Sequence, residues 1–205
     1  TNTDLGAGMQ VAMKDLEIRG AGNLLGGEQS GHIAGVGFDL YVRMVGEAVA
    51  AFRGEGKAPE KEIRVELPLD ANIPHDYIGS ERLRLEAYSK LAAVREVSEI
   101  DQVRAELSDR YGAPPASVEV LLDVARFRID ARAAGVDEVQ AQGKMIRFAH
   151  LEVPDSAAMR MKRLHPGTVL KPATRQVLVP RPMTSRLGGT ELRDHELLEW
   201  AREIL

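Results

Sequence analysis

Residues 8–41 read GMQVAMKDLEIRGAGNLLGGEQSGHIAGVGFDLY, two amphipathic runs on either side of a turn rich in glycine. Glycine permits a positive φ and a close approach of the backbone, but it weakens helices and strands. Its density therefore indicates a loop that must take one defined shape or bring its backbone close to another molecule. The glycines of the turn are Gly20, Gly22, Gly26, Gly27 and Gly31.

The two runs that flank this turn have helical periodicity. Over residues 9–16 the apolar side chains recur on one face of a helix, although the alternation over 16–19 also fits a short strand. Over residues 38–52 a second apolar stripe follows the helical period. The pattern predicts a helical hairpin whose tip presents Arg19, Gln29 and backbone N–H groups to an anionic partner.

Three interpretations of the glycine loop remain open at the level of the residues. Gly20-x-Gly22 begins a dinucleotide-binding fingerprint, but Leu25 stands where the third glycine belongs and no buried strand precedes the loop. The loop can also be a structural connector without a partner, since most such loops serve geometry. The third interpretation is a loop coupled to a nucleic acid or a nucleotide.

The segment TDLGAGMQVAMKDLEIRGAGNLLGGEQSGHIAGVGFDLY, residues 3–41, resembles the part that follows the helicase motor in bacterial transcription-repair coupling factors. A related form occurs in RecG-type translocases. In these families it is the translocation motif, which converts ATP hydrolysis into movement along double-stranded DNA. The resemblance implies that Arg19 and Gln29 couple hydrolysis to movement, and Gly20, Gly22 and Glu28 belong to the same matched segments.

Composition limits the class of protein. A net charge of −4 disfavours a free-standing nucleic-acid binder but permits a local contact inside a larger assembly. The absence of cysteine excludes disulfides and thiolate metal sites. No apolar run is long enough to span a membrane and there is no leader-like pattern. With the resemblance, we expect a bacterial cytoplasmic protein.

The chain starts with TNTDLGAG, without an initiator methionine. We expect a C-terminal fragment of a longer protein whose nucleotide-binding motifs lie upstream. The fragment should need no cofactor and should not hydrolyse ATP alone, whereas the full-length parent would use ATP and Mg.

The chain divides into a hairpin region, a linker and a second domain. The resemblance implies that residues 1–52 hold the end of a motor lobe and the hairpin, and the composition of RGEGKAPEK at 53–61 predicts a linker. Residues 62–205 predict an α+β domain with helices packed on a small, mainly antiparallel sheet. The first expected elements are a strand over 62–69 with one buried face and helices over 81–94 (capped by Ser80) and 99–110 (capped by Ser98). A third helix begins at Pro115 or Ser117 and runs to about Ala134, where Gly135 ends it. A β-hairpin around Gly143, a helix over 154–165, strands at 169–170 and 176–179, and a helix over 191–205 packed down by Trp200 follow.

No catalytic or metal-binding pattern is evident in residues 62–205. The histidines are scattered, and no P-loop, nucleophile elbow or catalytic triad is present. The plentiful carboxylates sit on polar helix faces. We therefore predict no catalytic residue and no metal ligand here.

The predicted helix at 98–110 is the best candidate interaction surface. Its outward face holds Arg104, Glu106, Asp109 and Arg110, which by themselves describe an ordinary solvated face. The segment VRAELSDRYGAPP, however, resembles the C-terminal domain of the coupling factors, which packs on their N-terminal repair-protein-like module and masks the surface that recruits the excision-repair protein UvrA. The resemblance makes Glu106, Asp109 and Arg110 candidates for that contact.

Two functions of different classes follow. The first is the C-terminal part of a transcription-repair coupling factor, a DNA translocase that displaces stalled RNA polymerase and recruits repair; its partners would be double-stranded DNA, the N-terminal module, RNA polymerase and UvrA. The second is a stand-alone protein–protein interaction module with the hairpin as docking scaffold. A RecG-type parent is a weaker third option, because that family lacks a matching domain after the hairpin.

Overall fold

The computed structural model describes residues 63–205. The predicted hairpin, its coupling residues and the linker lie outside this range. The described part contains five helices and a five-stranded sheet, which confirms the predicted α+β class. The helices are α1 Glu81–Ala93, α2 Val97–Tyr111, α3 Ala116–Ala133, α4 Asp155–Leu164 and α5 Asp194–Ile204; the strands are β1 Arg64–Glu66, β2 Glu138–Gln142, β3 Met145–Ala149, β4 Val169–Lys171 and β5 Gln176–Pro180.

The sheet has the order β1-β2-β3-β5-β4. β1 pairs with β2 in parallel, with Val65 opposite Val139, and helices α1–α3 form the crossover between them. All other pairs are antiparallel, and β2 and β3 form the hairpin predicted around Gly143, which has a φ of 55°. The prediction of a mainly antiparallel sheet is therefore confirmed.

The core lies between the sheet and the helices. Phe127 of α3 and Phe148 of β3 are fully buried at its centre. Trp200 of α5 is 9% exposed, with its ring centroid 6.2 Å from that of Phe148 and 5.9 Å from that of His165. The only tryptophan thus packs α5 against the domain, as predicted.

Local capping signals were read correctly at two helix ends. The Ser80 hydroxyl accepts a hydrogen bond from the Leu83 N–H at 3.4 Å at the start of α1. Gly135 follows α3 with a φ of 76°, and its N–H donates to the Arg132 carbonyl at 3.1 Å. Both devices satisfy backbone groups that the helix itself leaves unpaired.

Two predicted helix starts are wrong. α2 begins at Val97 rather than after a Ser98 cap; Ser98 lies inside the first turn, and the N-cap position is taken by Glu96 without a side-chain hydrogen bond. α5 begins at Asp194 rather than Glu191, because Glu191 forms a β-bridge with Met183. α2 therefore starts two residues earlier than predicted and α5 three residues later.

Two charged residues, Glu66 and Arg84, are buried. Glu66 is 6% exposed; it forms an ion pair with Arg64 and accepts from the Gln140 amide at 2.7 Å. Arg84 is 3% exposed and donates to the Ile78 carbonyl at 2.7 Å. The strand prediction of a single buried face is therefore wrong at Glu66, where a partner on β2 compensates for the burial.

Candidate functional site

Helix α2 has a buried and an exposed side. Ile100, Val103 and Leu107 recur at the helical period and are buried against α1 and α3. The opposite side carries the polar residues singled out in the sequence. The apolar stripe thus fixes which charges α2 presents outward.

Glu106 is held between two cations. Its Oε1 lies 2.6 Å from Lys90 Nζ of α1 and 3.4 Å from Arg110 Nη1, one turn along α2. The hydrogen bond from Lys90, and secondarily the charges of Lys90 and Arg110, lower the pKa of Glu106 although partial burial opposes the shift. The Glu106 side chain is 39% exposed, so this carboxylate is ionised and accessible at neutral pH.

The C-terminal end of α2 is fixed by aromatic residues. Tyr77 donates from its hydroxyl to the carbonyl of Gly112 at 2.8 Å, and its ring meets the edge of Tyr111 at a centroid distance of 5.9 Å. Burial, the charge of Glu119 and the neighbouring Tyr111 raise the pKa of Tyr77. The Arg110 guanidinium lies 5.2 Å from the centroid of the Tyr111 ring. These contacts give the charged end of α2 a defined position.

The groove between α1 and α2 runs beneath these charges. Its floor is apolar and its rim is charged, with a free volume of about 10 Å³, close to that of one water molecule. The groove is therefore too small for a small-molecule ligand, and the face is suited to a macromolecular contact. Its lining includes Leu83, Glu86, Ala87, Lys90, Val103, Glu106, Leu107, Arg110 and Tyr111.

The other predicted site residues divide into two groups. Asp109 is exposed on the same side of α2 as Glu106, so the structure brings Glu106, Asp109 and Arg110 onto one surface. Arg104 donates to Glu119 of α3 at 2.8 Å and is engaged there. Arg19, Gly20, Gly22, Glu28 and Gln29 lie outside the described residues, so their role stays a prediction.

Between residues 63 and 205, no set of three or more His, Asp or Glu side chains is arranged to hold a metal. Over the same residues, every helix is too short or too polar to cross a lipid bilayer. The chemistry available on α2 is recognition through charged and aromatic side chains.

Sequence reasoning missed Lys90. It lies on α1, sixteen positions before Glu106, and only the packing of α1 on α2 brings the two together. No local periodicity could have paired them. A cation of a partner protein must displace Lys90 before it can form an ion pair with Glu106.

Known proteins match this chain in sequence and in fold. A sequence model of the TRCF domain family matches residues 67–161, which include all of α2. The transcription-repair-coupling factor of Mycobacterium bovis is 47% identical over the whole of this chain, which spans 18% of that protein. This chain belongs to the transcription-repair-coupling factor family. The corresponding protein of Staphylococcus epidermidis is 46% identical over 71% of the chain and 13% of its own length.

A solved structure within the transcription-repair-coupling factor family shares the fold. It is a crystal structure of the C-terminal domain of a transcription-repair coupling factor, and it superposes with a TM-score of 0.55 at 18% identity. The match covers 71% of this chain and 91% of that domain. The chain is thus similar to a small part of the full coupling factors, and it includes a fold like that of their C-terminal domain.

Proposed function

We propose that this chain is the C-terminal part of an ATP-dependent double-stranded DNA translocase of transcription-coupled repair. In the parent, residues 1–52 couple ATP hydrolysis to translocation, and residues 62–205 mask the surface that recruits UvrA. The parent would displace stalled RNA polymerase in the bacterial cytoplasm and would bind ATP and Mg through motifs that this sequence does not contain. Whole-chain similarity to named coupling factors supports this assignment.

The observation that carries the masking role is the accessible ion-pair network around Glu106. Glu106, Asp109 and Arg110 project from one rigid surface inside the matched domain, and Glu106 has exchangeable partners at 2.6 and 3.4 Å. Exposed ion pairs contribute only about 0–1 kcal/mol each, so a second partner can displace them. A mask that must be removed when the motor engages needs contacts of this kind.

The masking role is tested in the full-length parent by reversing the charges of Glu106 and Asp109. We expect E106K/D109K to increase UvrA binding in a pull-down or by surface plasmon resonance, because the contact with the N-terminal module is broken. The matched control is E196K/E199K, which reverses two exposed carboxylates at the same spacing on α5. UvrA binding equal to that of the control would refute the mask.

The coupling role is tested separately with Arg19 and Gln29. We expect R19A and Q29A to retain ATP hydrolysis and to lose displacement of a stalled RNA polymerase. Full polymerase displacement by both variants would refute coupling by the hairpin. If both the UvrA and the displacement experiments gave wild-type results, the chain would be a protein–protein docking module without either role.

A further inference from the structure

Charge is unevenly distributed along the described chain. Residues 144–193 hold ten Lys and Arg against three Asp and Glu, a formal charge of +7. Residues 63–143, which include α1–α3, hold ten against fifteen, a formal charge of −5. The overall charge of −4 therefore conceals a basic region in the part of the domain built from β3, α4, β4 and β5.

The basic residues concentrate on α4 and on the turn between β4 and β5. Arg160, Lys162 and Arg163 are exposed on α4, a helix that buries none of its side chains. Lys171 and Arg175 are exposed at the turn, and Arg175 Nη1 lies 3.4 Å from Glu152 Oε1 in the loop that enters α4. The turn therefore lies beside the first turn of α4. We call these five residues the basic face.

Most of the basic face has no internal ion pair. Among residues 63–205, no carboxylate forms an ion pair with Arg160, Lys162, Arg163 or Lys171, and the pair made by Arg175 is exposed on both sides. Two of the other basic residues of the segment are paired: Arg147 lies 2.5 Å from Glu138 and Arg181 lies 2.8 Å from Glu191. Four exposed positive charges within residues 160–171 are thus left for an external anion.

We propose that the basic face binds the phosphate backbone of double-stranded DNA. α4 is about 15 Å long, and Arg160 and Arg163, three positions apart, lie on the same side of it, so both can contact one strand of a regularly charged polyanion. Three of the five are arginines, whose planar guanidinium binds phosphate through two hydrogen bonds. This contact would be separate from the hairpin contact of the proposed function and does not depend on it.

Two other partners fit the face less well. An acidic peptide would need an apolar anchor beside the cations. The cleft between α4 and α5, of about 570 Å³, has a largely apolar lining, but Arg160 is the only one of the five cations that lines it, and Glu203 lines it as well. A lipid surface would require a broad apolar face on α4, whereas its most exposed apolar residue, Met159, is flanked by Lys162 and Arg163. Duplex DNA needs neither feature.

The proposal is tested with the full 205-residue chain and a fluorescein-labelled duplex of about 20 base pairs, by anisotropy. If each of the five cations neutralises one phosphate, the slope of log K against log[NaCl] is about −4.5, which is roughly a 500-fold loss between about 50 and about 200 mM salt. R160Q/R163Q should reduce the slope to about −2.7 and weaken binding at low salt by at least about tenfold. Circular dichroism establishes that each variant is folded.

The matched control is R82Q/R126Q, which removes two exposed arginines from α1 and α3 and should bind like the wild type. Equal affinity of R160Q/R163Q and this control would overturn the proposal. Loss of binding in R19A with no loss in R160Q/R163Q would also overturn it, while leaving the hairpin role of the proposed function standing. Tighter binding of polyglutamate than of the duplex would show an acidic-polypeptide site and would likewise overturn it.

Discussion

Asp123 of α3 holds helix α5 in place, and replacing it with asparagine should loosen that helix. Its carboxylate forms an ion pair with Arg202 of α5, and its Oδ2 lies 3.0 Å from His195 Nδ1 at the start of α5. The Asp123 side chain is 15% exposed, so solvent screens these contacts only in part. Asparagine keeps the size and one acceptor oxygen but removes the charge.

The expected loss of folding free energy follows from the kind of hydrogen bond that D123N removes. A hydrogen bond to a charged group contributes about 1.5–3 kcal/mol and a neutral one about 0.5–1.5 kcal/mol, so D123N should cost about 1–1.5 kcal/mol. That cost lowers the folding equilibrium constant roughly tenfold and lowers Tm by about 2–6 °C for a chain of this size. His195 adds little, because its side chain is 53% exposed.

Urea unfolding followed by tryptophan fluorescence measures this change directly, because the single tryptophan, Trp200, lies on α5 and is buried against Phe148. The control is D130N. Asp130 Oδ2 lies 3.2 Å from Arg202 Nε without hydrogen-bond geometry, and its side chain is 40% exposed, so we expect a cost of only about 0–1 kcal/mol. An unfolding midpoint for D123N equal to the wild type, or a larger loss for D130N, would refute the reasoning.

Three further changes test other parts of the structure. Y88F should cost about 1–3 kcal/mol in urea unfolding, because the buried Tyr88 hydroxyl accepts from the Ile73 N–H at 2.8 Å and nothing replaces it; a loss below about 0.5 kcal/mol would contradict this. G112A should cost about 1–3 kcal/mol in the same assay, since Gly112 has a φ of 85° and a ψ of −176°, a region almost confined to glycine; an unchanged midpoint would exclude strain there. The pKa of Glu106 is lower in the folded than in the unfolded chain, so its ion pairs stabilise the domain above the unfolded pKa, and this stabilisation is lost as pH falls through the folded pKa. K90M should therefore raise the Glu106 pKa in a carboxyl NMR titration, and an unchanged pKa would show that Lys90 is not the main cause of the shift.

Much of this fold follows from signals that act over a few residues. The Ser80 cap, the glycine after α3 and the hairpin at Gly143 depend on backbone geometry that neighbouring residues impose, and all three were predicted correctly. The same kind of signal failed at Ser98, which lies inside the first turn of α2, while Glu96 occupies the N-cap position. Local chemistry therefore predicted the presence of α2 correctly but not its first residue.

The remainder depends on contacts between distant residues. Glu66 is compensated by Gln140, 74 positions away, and Glu106 by Lys90 on another helix, and neither pairing leaves a periodic trace in the sequence. The basic face is different, because a count of charges in successive segments would have revealed it. The net charge of the whole chain hides the positive charge of residues 144–193, because acidic segments elsewhere offset it.

Both outer strands of the described sheet, β1 and β4, are only three residues long, whereas the three central strands have five. Pro172 directly follows β4 and removes a donor that an added strand would need. A polypeptide that added a strand to either edge of this sheet could form only a few backbone hydrogen bonds with it. The domain is thereby protected from edge-to-edge aggregation, and partners that bind it must do so through side chains on its helices and turns.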